Sequence, residues 1–252
     1  MRFVDLETAR ASSGVRLVML KGAPSPWSQA AKAIFEVKGV EVLGVWNAPG
    51  DQALRAWTGV PNAPVVMYEQ EPPRSHWADI LSLAERIAPQ VPLIPSRAEQ
   101  RIRAFGLCNE LMGQAGLVWN MRLSLIELSL KSQGARGYAL PIAHYLADRY
   151  GYTADCGTVA NARIAEILQV LEAQLEGHGP YFLGEQLSAL DIYAAAALDT
   201  LSPLSAADCP MHPKTRAALE ARRDAAGSTV PARLRAHRDF MHREHMPLPI
   251  VC

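Results

Sequence analysis

The chain has 252 residues, 49 % of them hydrophobic, and its 25 basic and 25 acidic side chains cancel. That length accommodates one large domain or two smaller ones, each with its own core. Balanced charge gives no net field to attract nucleic acid or an anionic membrane surface, so a small neutral partner is expected.

The opening residues, MRFVDLETARASSG, lack the basic start and apolar core of a signal peptide, and no later apolar run reaches membrane-spanning length. A cytoplasmic protein is therefore expected. Residues 15 to 20, VRLVML, read as a buried strand bounded by Gly14 and by Gly22-Ala23-Pro24. A helix follows, with Trp27, Ala30, Ala31, Ile34 and Phe35 on one face and Gly39 as its stop. VEVLGVW reads as a second strand, GDQALRAWTG as a short helix, and APVVMYEQEPP as a strand and turn. SHWADILSLAERI has helical spacing through Trp77, Ile80, Leu81, Ala84 and Ile87. The order is β-α-β-α-β-(β)-α.

Composition then changes. APQVPLIPS, with three prolines in nine residues, can hold neither a helix nor a central strand and reads as a linker. Beyond it the pattern is helical throughout. Residues 97 to 130 read as one long amphipathic helix, followed by YALPIAHYLADRYG and ANARIAEILQVLEAQLEG. LSALDIYAAAALDTL is apolar almost all round, which marks it as the buried central helix. The last 26 residues are basic, with His237, His242 and His245, and read as a tail, docked or loose. Those histidines lack the carboxylate or cysteine pattern that would complete a metal site, and no metal is expected. Cys108, Cys156, Cys209 and Cys252 are scattered with no C-x-x-C, so they read as reduced thiols, not as a zinc ribbon, a redox dithiol or a disulfide framework.

Three local patterns carry chemistry. In PSPWS, Ser25 is a favoured N-cap and Pro26 a favoured first helical residue. The pair is either a plain helix start or a place where a hydroxyl, helix N–H groups and the dipole meet an anion such as a thiolate. In NAPVV, Pro64 just before a strand is either an ordinary trans proline at an edge or a cis proline that lets Ala63 present its backbone to a ligand. In LSALDI, Ser188 and Asp191 form a capping box, with Leu187 and Ile192 as its hydrophobic staple.

In this order and at these separations the three patterns resemble the cytosolic glutathione transferase family, over roughly residues 15 to 225. The resemblance implies an α/β thioredoxin-like N-terminal domain at 15–89 and an all-helical C-terminal domain at 97–252. It implies that Ser25 hydrogen-bonds the sulfur of glutathione, a co-substrate, and that Ala63, beside Pro64, pairs its backbone with the peptide. It also implies a homodimer. Where the family has an acid-serine pair opening the third helix, this chain reads PPRSHW, so either Arg74-Ser75 or Ser75-His76 stands there. Helical spacing of Trp77 and Leu81 points to Ser75 as the serine.

Met112 and Trp119 have the spacing of either a core stripe or an apolar pocket wall, with Gly113 and Gly116 leaving room beside Trp119 for a hydrophobic substrate, and Trp27 is assigned to the same expected pocket. The expected activity is attack of a glutathione thiolate on a small hydrophobic electrophile, a detoxification chemistry, by a serine-type glutathione transferase. The alternative is a catalytically silent binding module on the same fold. Thiol-disulfide reduction at Ser25-Pro26-Trp27-Ser28 is not expected, because serine stands at both cysteine positions.

Overall fold

Val15 to Met19 are buried on both faces, as the unbroken apolar run requires of a central strand. In a computed structural model describing residues 1–48, 50–177, 179–225 and 229–252, this strand, β2 (Val15–Leu20), is flanked on both sides. It pairs parallel with β3 (Val42–Asn47) from Val15↔Val42 to Leu20↔Asn47, and antiparallel with β4 (Val65–Tyr68) from Val15↔Tyr68 to Val18↔Val65. The amphipathic helix between β2 and β3, α2 (Pro26–Val37), buries Ala30, Ala31, Ile34 and Phe35. A short helix, α3 (Gln52–Thr58), follows β3 and is capped by the Asp51 carboxylate.

The first fourteen residues, outside the resemblance, extend this sheet. A strand of two residues, β1 (Arg2–Phe3), joins β3 in parallel, so the sheet order is β1-β3-β2-β4. Phe3 stacks on Trp46 with ring centroids 4.0 Å apart, and a Cβ on Gly44 would come within 2.8 Å of the Phe3 ring. Only glycine permits that approach. Helix α1 (Leu6–Ala11) starts on an Asp5 cap and buries Ala9 against Val18, Val45 and Leu54. The anticipated fourth hairpin strand shrinks to one bridge, Val66 with Arg74.

Helix α4 (Trp77–Ile87) packs beside α2, and the proline-rich segment follows it without regular structure. That segment is nonetheless docked. Leu93 is buried, its N–H donates to Glu85 Oε1 and its carbonyl accepts from Ala189 N–H.

The long helix expected at 97–130 is two helices, α5 (Ala98–Met112) and α6 (Leu117–Lys131). The chain turns at Gly113 to Gly116 through Ala115 at φ 61°. A Cβ on Gly113 would lie 2.7 Å from the Asn109 carbonyl oxygen, and one on Gly116 2.7 Å from that of Glu110. These glycines allow the chain to turn close against the end of α5. Then come α7 (Leu140–Tyr150), α8 (Cys156–Glu176) and α9 (Ala189–Leu201), the last buried along its whole length. Two further helices, α10 (Pro213–Ala225) and α11 (Ala232–Glu244), complete the helical part. The basic tail is thus a docked helix, with His237 and His242 buried under it and not on the surface.

Asp191 organises the start of α9. It accepts the Phe182 N–H at 2.9 Å on Oδ1, and the Ser188 N–H at 2.9 Å and hydroxyl at 2.7 Å on Oδ2. The capping box read from LSALDI is present. Among the hydrogen bonds that join the sheet-bearing part to the helices are Trp27 Nε1 to the Met112 carbonyl at 2.9 Å and Tyr193 Oη to the Trp77 carbonyl at 3.0 Å. The Trp27 bond satisfies one of the carbonyls that a helix leaves unpaired in its last turn.

Candidate active site

Strand β2 ends at Leu20, and five residues later the chain enters α2 at Ser25. Ser25 has N-cap backbone angles (φ −62°, ψ 118°), its carbonyl accepts the Gln29 N–H at 2.9 Å, and Pro26 occupies the first helical position. Its hydroxyl makes no capping bond to the helix. The first-turn N–H groups of α2 therefore keep their positive field with a hydroxyl beside them. Ser28, one turn on, is also buried, and its hydroxyl has no partner among the described residues. In the sequence, Ser28 carries no signal beyond standing where a redox motif has its second cysteine.

The Ala63–Pro64 peptide bond is cis. With Val18 opposite Val65 in the antiparallel pair, Ala63 falls level with Leu20, at the same sheet end from which the chain departs toward Ser25. Pro64 is buried and Ala63 half-buried.

Helix α4 begins at Trp77 with His76 at its N-cap, so Ser75 lies one residue outside the helix. The two residues directly before the first turn are Ser75 and His76, with Arg74 ahead of them. Both side chains are exposed. Arg74 turns back along its own loop: Nη2 donates to Glu71 Oε2 at 2.5 Å and Nη1 to the Pro72 carbonyl at 3.3 Å. Arg86 donates to the same carboxylate at 2.7 Å and lies over the Tyr68 ring. Hydrogen bonds from Arg86 and then Arg74 hold the Glu71 carboxyl below its ordinary range. Glu71 was not singled out in the sequence, although it stands only three residues before Arg74 in EQEPPR.

Of the three expected wall residues, Trp27 and Met112 meet through the indole-to-carbonyl bond, with the Met112 side chain in the core. Trp119, half-buried, packs edge-on against Tyr150 with centroids 4.7 Å apart. The helical part also covers the β2–α2 loop, which no sequence signal disclosed. The Gly22 carbonyl accepts the His212 N–H at 3.1 Å and the Thr215 hydroxyl at 3.4 Å, and Gln29 Nε2 donates to the Val251 carbonyl at 2.6 Å. Ser25 is only 3 % exposed. Two clefts lie elsewhere, on either side of Arg222: one floored by Ile164, Leu168 and Leu201, the other beside Ser124 and Glu127.

Among the described residues no group of histidine, cysteine and acidic side chains is arranged to hold a metal. The three tail histidines have separate partners: His237 with Asp191, His242 with Asp199, and His245 with the Tyr181 hydroxyl.

Residues 136–225 match the family model described as glutathione S-transferase, C-terminal domain. The solved structure of glutathione transferase Omega 3C from Trametes versicolor superposes with a TM-score of 0.59 at 18 % identity, over 95 % of this chain and 90 % of that one. The chain has the glutathione transferase fold. A glutathione S-transferase from Methylobacterium radiotolerans, in complex with glutathione sulfonate, gives a TM-score of 0.58 at 17 % identity, over 93 % and 95 % of the two chains. Maleyl pyruvate isomerase, a bacterial Zeta-class glutathione S-transferase, gives 0.53 at 16 % identity, over 88 % and 95 %. At such identities the likeness to these glutathione transferases is one of fold. No curated protein matches the sequence. Within that fold, residues 136–225 are similar to a glutathione S-transferase C-terminal domain, and β1 extends the sheet at its β3 edge.

Proposed function

We propose that this protein is a glutathione transferase-like enzyme in which Ser25 and the N-terminus of α2 stabilise the glutathione thiolate. The carrying observation is the Ser25 hydroxyl, placed at a helix N-terminus and not spent on capping it. A free thiol, with a pKa of about 8.5, is mostly protonated at neutral pH, and a donated hydrogen bond plus the helix field shift it toward the reactive anion. The thiolate attacks a small hydrophobic electrophile held near Trp27, Met112 and Trp119. Ala63, preceding Pro64, offers its backbone to the peptide. Ser75 and the N–H groups opening α4 take the γ-glutamyl carboxylate, with Arg74 adding positive charge beside them.

The reading extends to a thioredoxin-like unit at 15–89, a helical unit at 97–252, a cytoplasmic setting and a homodimer. It is tested by titrating glutathione in a thermal-shift experiment and following conjugation to an activated aryl chloride. Binding only to the folded state must raise the Tm, and turnover must depend on Ser25. The silent binding module is favoured by one observation, the burial of Ser25 beneath its covered loop. Stabilisation by glutathione without turnover would select it.

A further inference from the structure

Two of the four cysteines, far apart in the sequence, meet in the fold. Cys209 Sγ and Cys252 Sγ lie 3.7 Å apart, across 43 residues of chain. Cys209 is buried in the segment before α10 and Cys252 is half-buried. The two segments are held together on both sides of the sulfurs. Ile250 N–H donates to the Asp208 carbonyl at 2.8 Å, the Val251 carbonyl accepts from Gln29 on α2, and Ile250 and Met246 are buried in the core. Arg216 Nη2 donates to the Cys209 carbonyl at 2.8 Å, fixing that backbone. The remaining thiols are placed differently: Cys108 is buried within α5, where burial pushes its thiol up, and Cys156 opens α8.

We propose that Cys209 and Cys252 form a redox-active dithiol, oxidised to an intramolecular disulfide by a low-molecular-weight disulfide. The geometry assigns the order of steps. Cys252, the residue with more exposed surface, attacks one sulfur of the reagent RSSR as its thiolate, forming a mixed disulfide and expelling RS⁻. The Cys209 thiol passes its proton to the expelled thiolate and attacks Cys252 Sγ, releasing the second thiolate, which takes the proton that Cys252 lost. Two electrons pass from the protein to the reagent, and one disulfide and two RSH result. The hydrogen bond between the thiols favours this direction. Accepting it from Cys209 lowers Cys252 below the ordinary thiol range despite burial, while donating it, together with burial, raises Cys209.

The bond would tie the segment carrying Val251, which lies on α2, to the segment that leads into the cover over the β2–α2 loop. Closing a loop of this length restricts the unfolded chain. The disulfide would therefore stabilise the fold and pin both covers beside Ser25.

The experiment uses the whole protein and 2-hydroxyethyl disulfide, so its outcome does not depend on glutathione binding at Ser25. After incubation at neutral pH, remaining thiols are alkylated in denaturant and the digest is analysed by mass spectrometry. The expected result is a peptide linking Cys209 to Cys252, alkylation of Cys108 and Cys156, and a Tm that rises by several degrees and returns on reduction. Cys252→Ser, altered at the more exposed position, should show neither the link nor the Tm rise. Alkylation of all four cysteines, a mixed disulfide that persists on Cys252 without a cross-link, or a bond to Cys108 or Cys156 would overturn the proposal.

Discussion

His242 Nε2 sits 3.0 Å from Asp199 Oδ2, while its Nδ1 faces the Met246 carbonyl oxygen at 3.0 Å, and all of this is buried between α9 and α11. A carbonyl only accepts, so Nδ1 carries a proton, and one further proton lies between Nε2 and the carboxylate. Burial opposes charge on His242, but its bond to Asp199 and the Asp199 charge outweigh this and raise its pKa above 6.5. Burial also raises Asp199 above 3.8, against the pull of His242 and Arg238. Both shifts favour the protonated fold. The His242 contribution is complete below about pH 6.5 and is lost as pH rises through its folded value, with Asp199 acting in the same sense from lower pH. Thermal melts from pH 6 to pH 9 should show the Tm falling by a few degrees, and His242→Gln should flatten that slope. An unchanged slope in the variant would remove His242 as its source.

Asp191 is the other buried carboxylate on α9, and it serves four donors: the Phe182 and Ser188 N–H groups, the Ser188 hydroxyl and His237 Nε2. Asp191→Ala strands two buried backbone donors at about 1 to 3 kcal/mol each, for a loss on the order of 3 to 5 kcal/mol. Ser188→Ala leaves the carboxylate and its backbone bonds in place and should cost about 1 kcal/mol. Urea melts of the two variants measure the difference. Equal losses would mean that the hydroxyl, not the carboxylate, organises this end of α9.

The elements legible in the sequence are those that bury a continuous apolar surface. VRLVML, the helix from Pro26 and the apolar run of α9 all announce themselves, and the residues around Ser25 and Pro64 are placed by them. Three features are hidden for physical reasons. A strand of two residues, Arg2 and Phe3, has no periodicity to read, and its place depends on Gly44 and Trp46 forty residues away. The α5–α6 break is masked because the helical pattern runs on through Gly113 and Gly116, which cost a helix only about 1 kcal/mol each relative to alanine. Helix α10 buries only Ala218 and Leu219 beside Arg222, and α11 Leu234 and Met241 beside His237, Arg238 and His242, so the cover that Thr215 of α10 places over the β2–α2 loop emerges only in three dimensions. At the site, the engagement of Arg74 by Glu71 is a turn-local pairing that the sequence contains, but only the loop geometry selects it over a ligand.

Arg222 is 4 % exposed, and no carboxylate pairs with it among the described residues. Its Nη2 donates to Asn161 Oδ1 at 3.2 Å, its Nε has no partner, and burial lowers its pKa to about 10. A buried charge without a counter-charge is a cost to folding. Arg222→Met keeps most of the volume and removes the charge, and should stabilise the protein by about 1 kcal/mol. Chemical denaturation with an unchanged m-value is the check. A marked loss would show that the guanidinium is satisfied in solution by a group outside the described contacts.

If Arg74 adds positive charge beside the γ-glutamyl carboxylate, Arg74→Ala should weaken glutathione binding several-fold, and Arg74→Lys should weaken it less, since a lysine keeps the charge but not the paired donors. Glu71→Gln should strengthen binding, because it removes the anion that holds Arg74 at 2.5 Å. Isothermal titration at neutral pH measures all three. Stronger binding by Arg74→Glu would reverse the assignment, making the ammonium of glutathione, not its carboxylate, the group that faces residue 74.

Ser25→Ala separates the two roles of a serine at a helix start. A side chain that caps the helix would cost about 1 kcal/mol when lost, but the Ser25 hydroxyl makes no such bond, so the Tm of the variant should stay close to that of the parent. A hydrogen bond to a charged group is worth about 1.5 to 3 kcal/mol, which corresponds to roughly one to two units in the pKa of the bound thiol. Turnover at pH 7 should therefore fall by about 10- to 100-fold, with the pH–rate profile displaced to higher pH by a similar amount. Glutathione affinity should fall much less, because Ala63, Ser75 and the start of α4 are untouched. Raising the pH then restores most of the rate, as solvent takes over ionisation of the thiol. A variant with a lowered Tm and an unshifted pH–rate profile would show Ser25 to be a helix cap, and the silent module would become the better account of the fold.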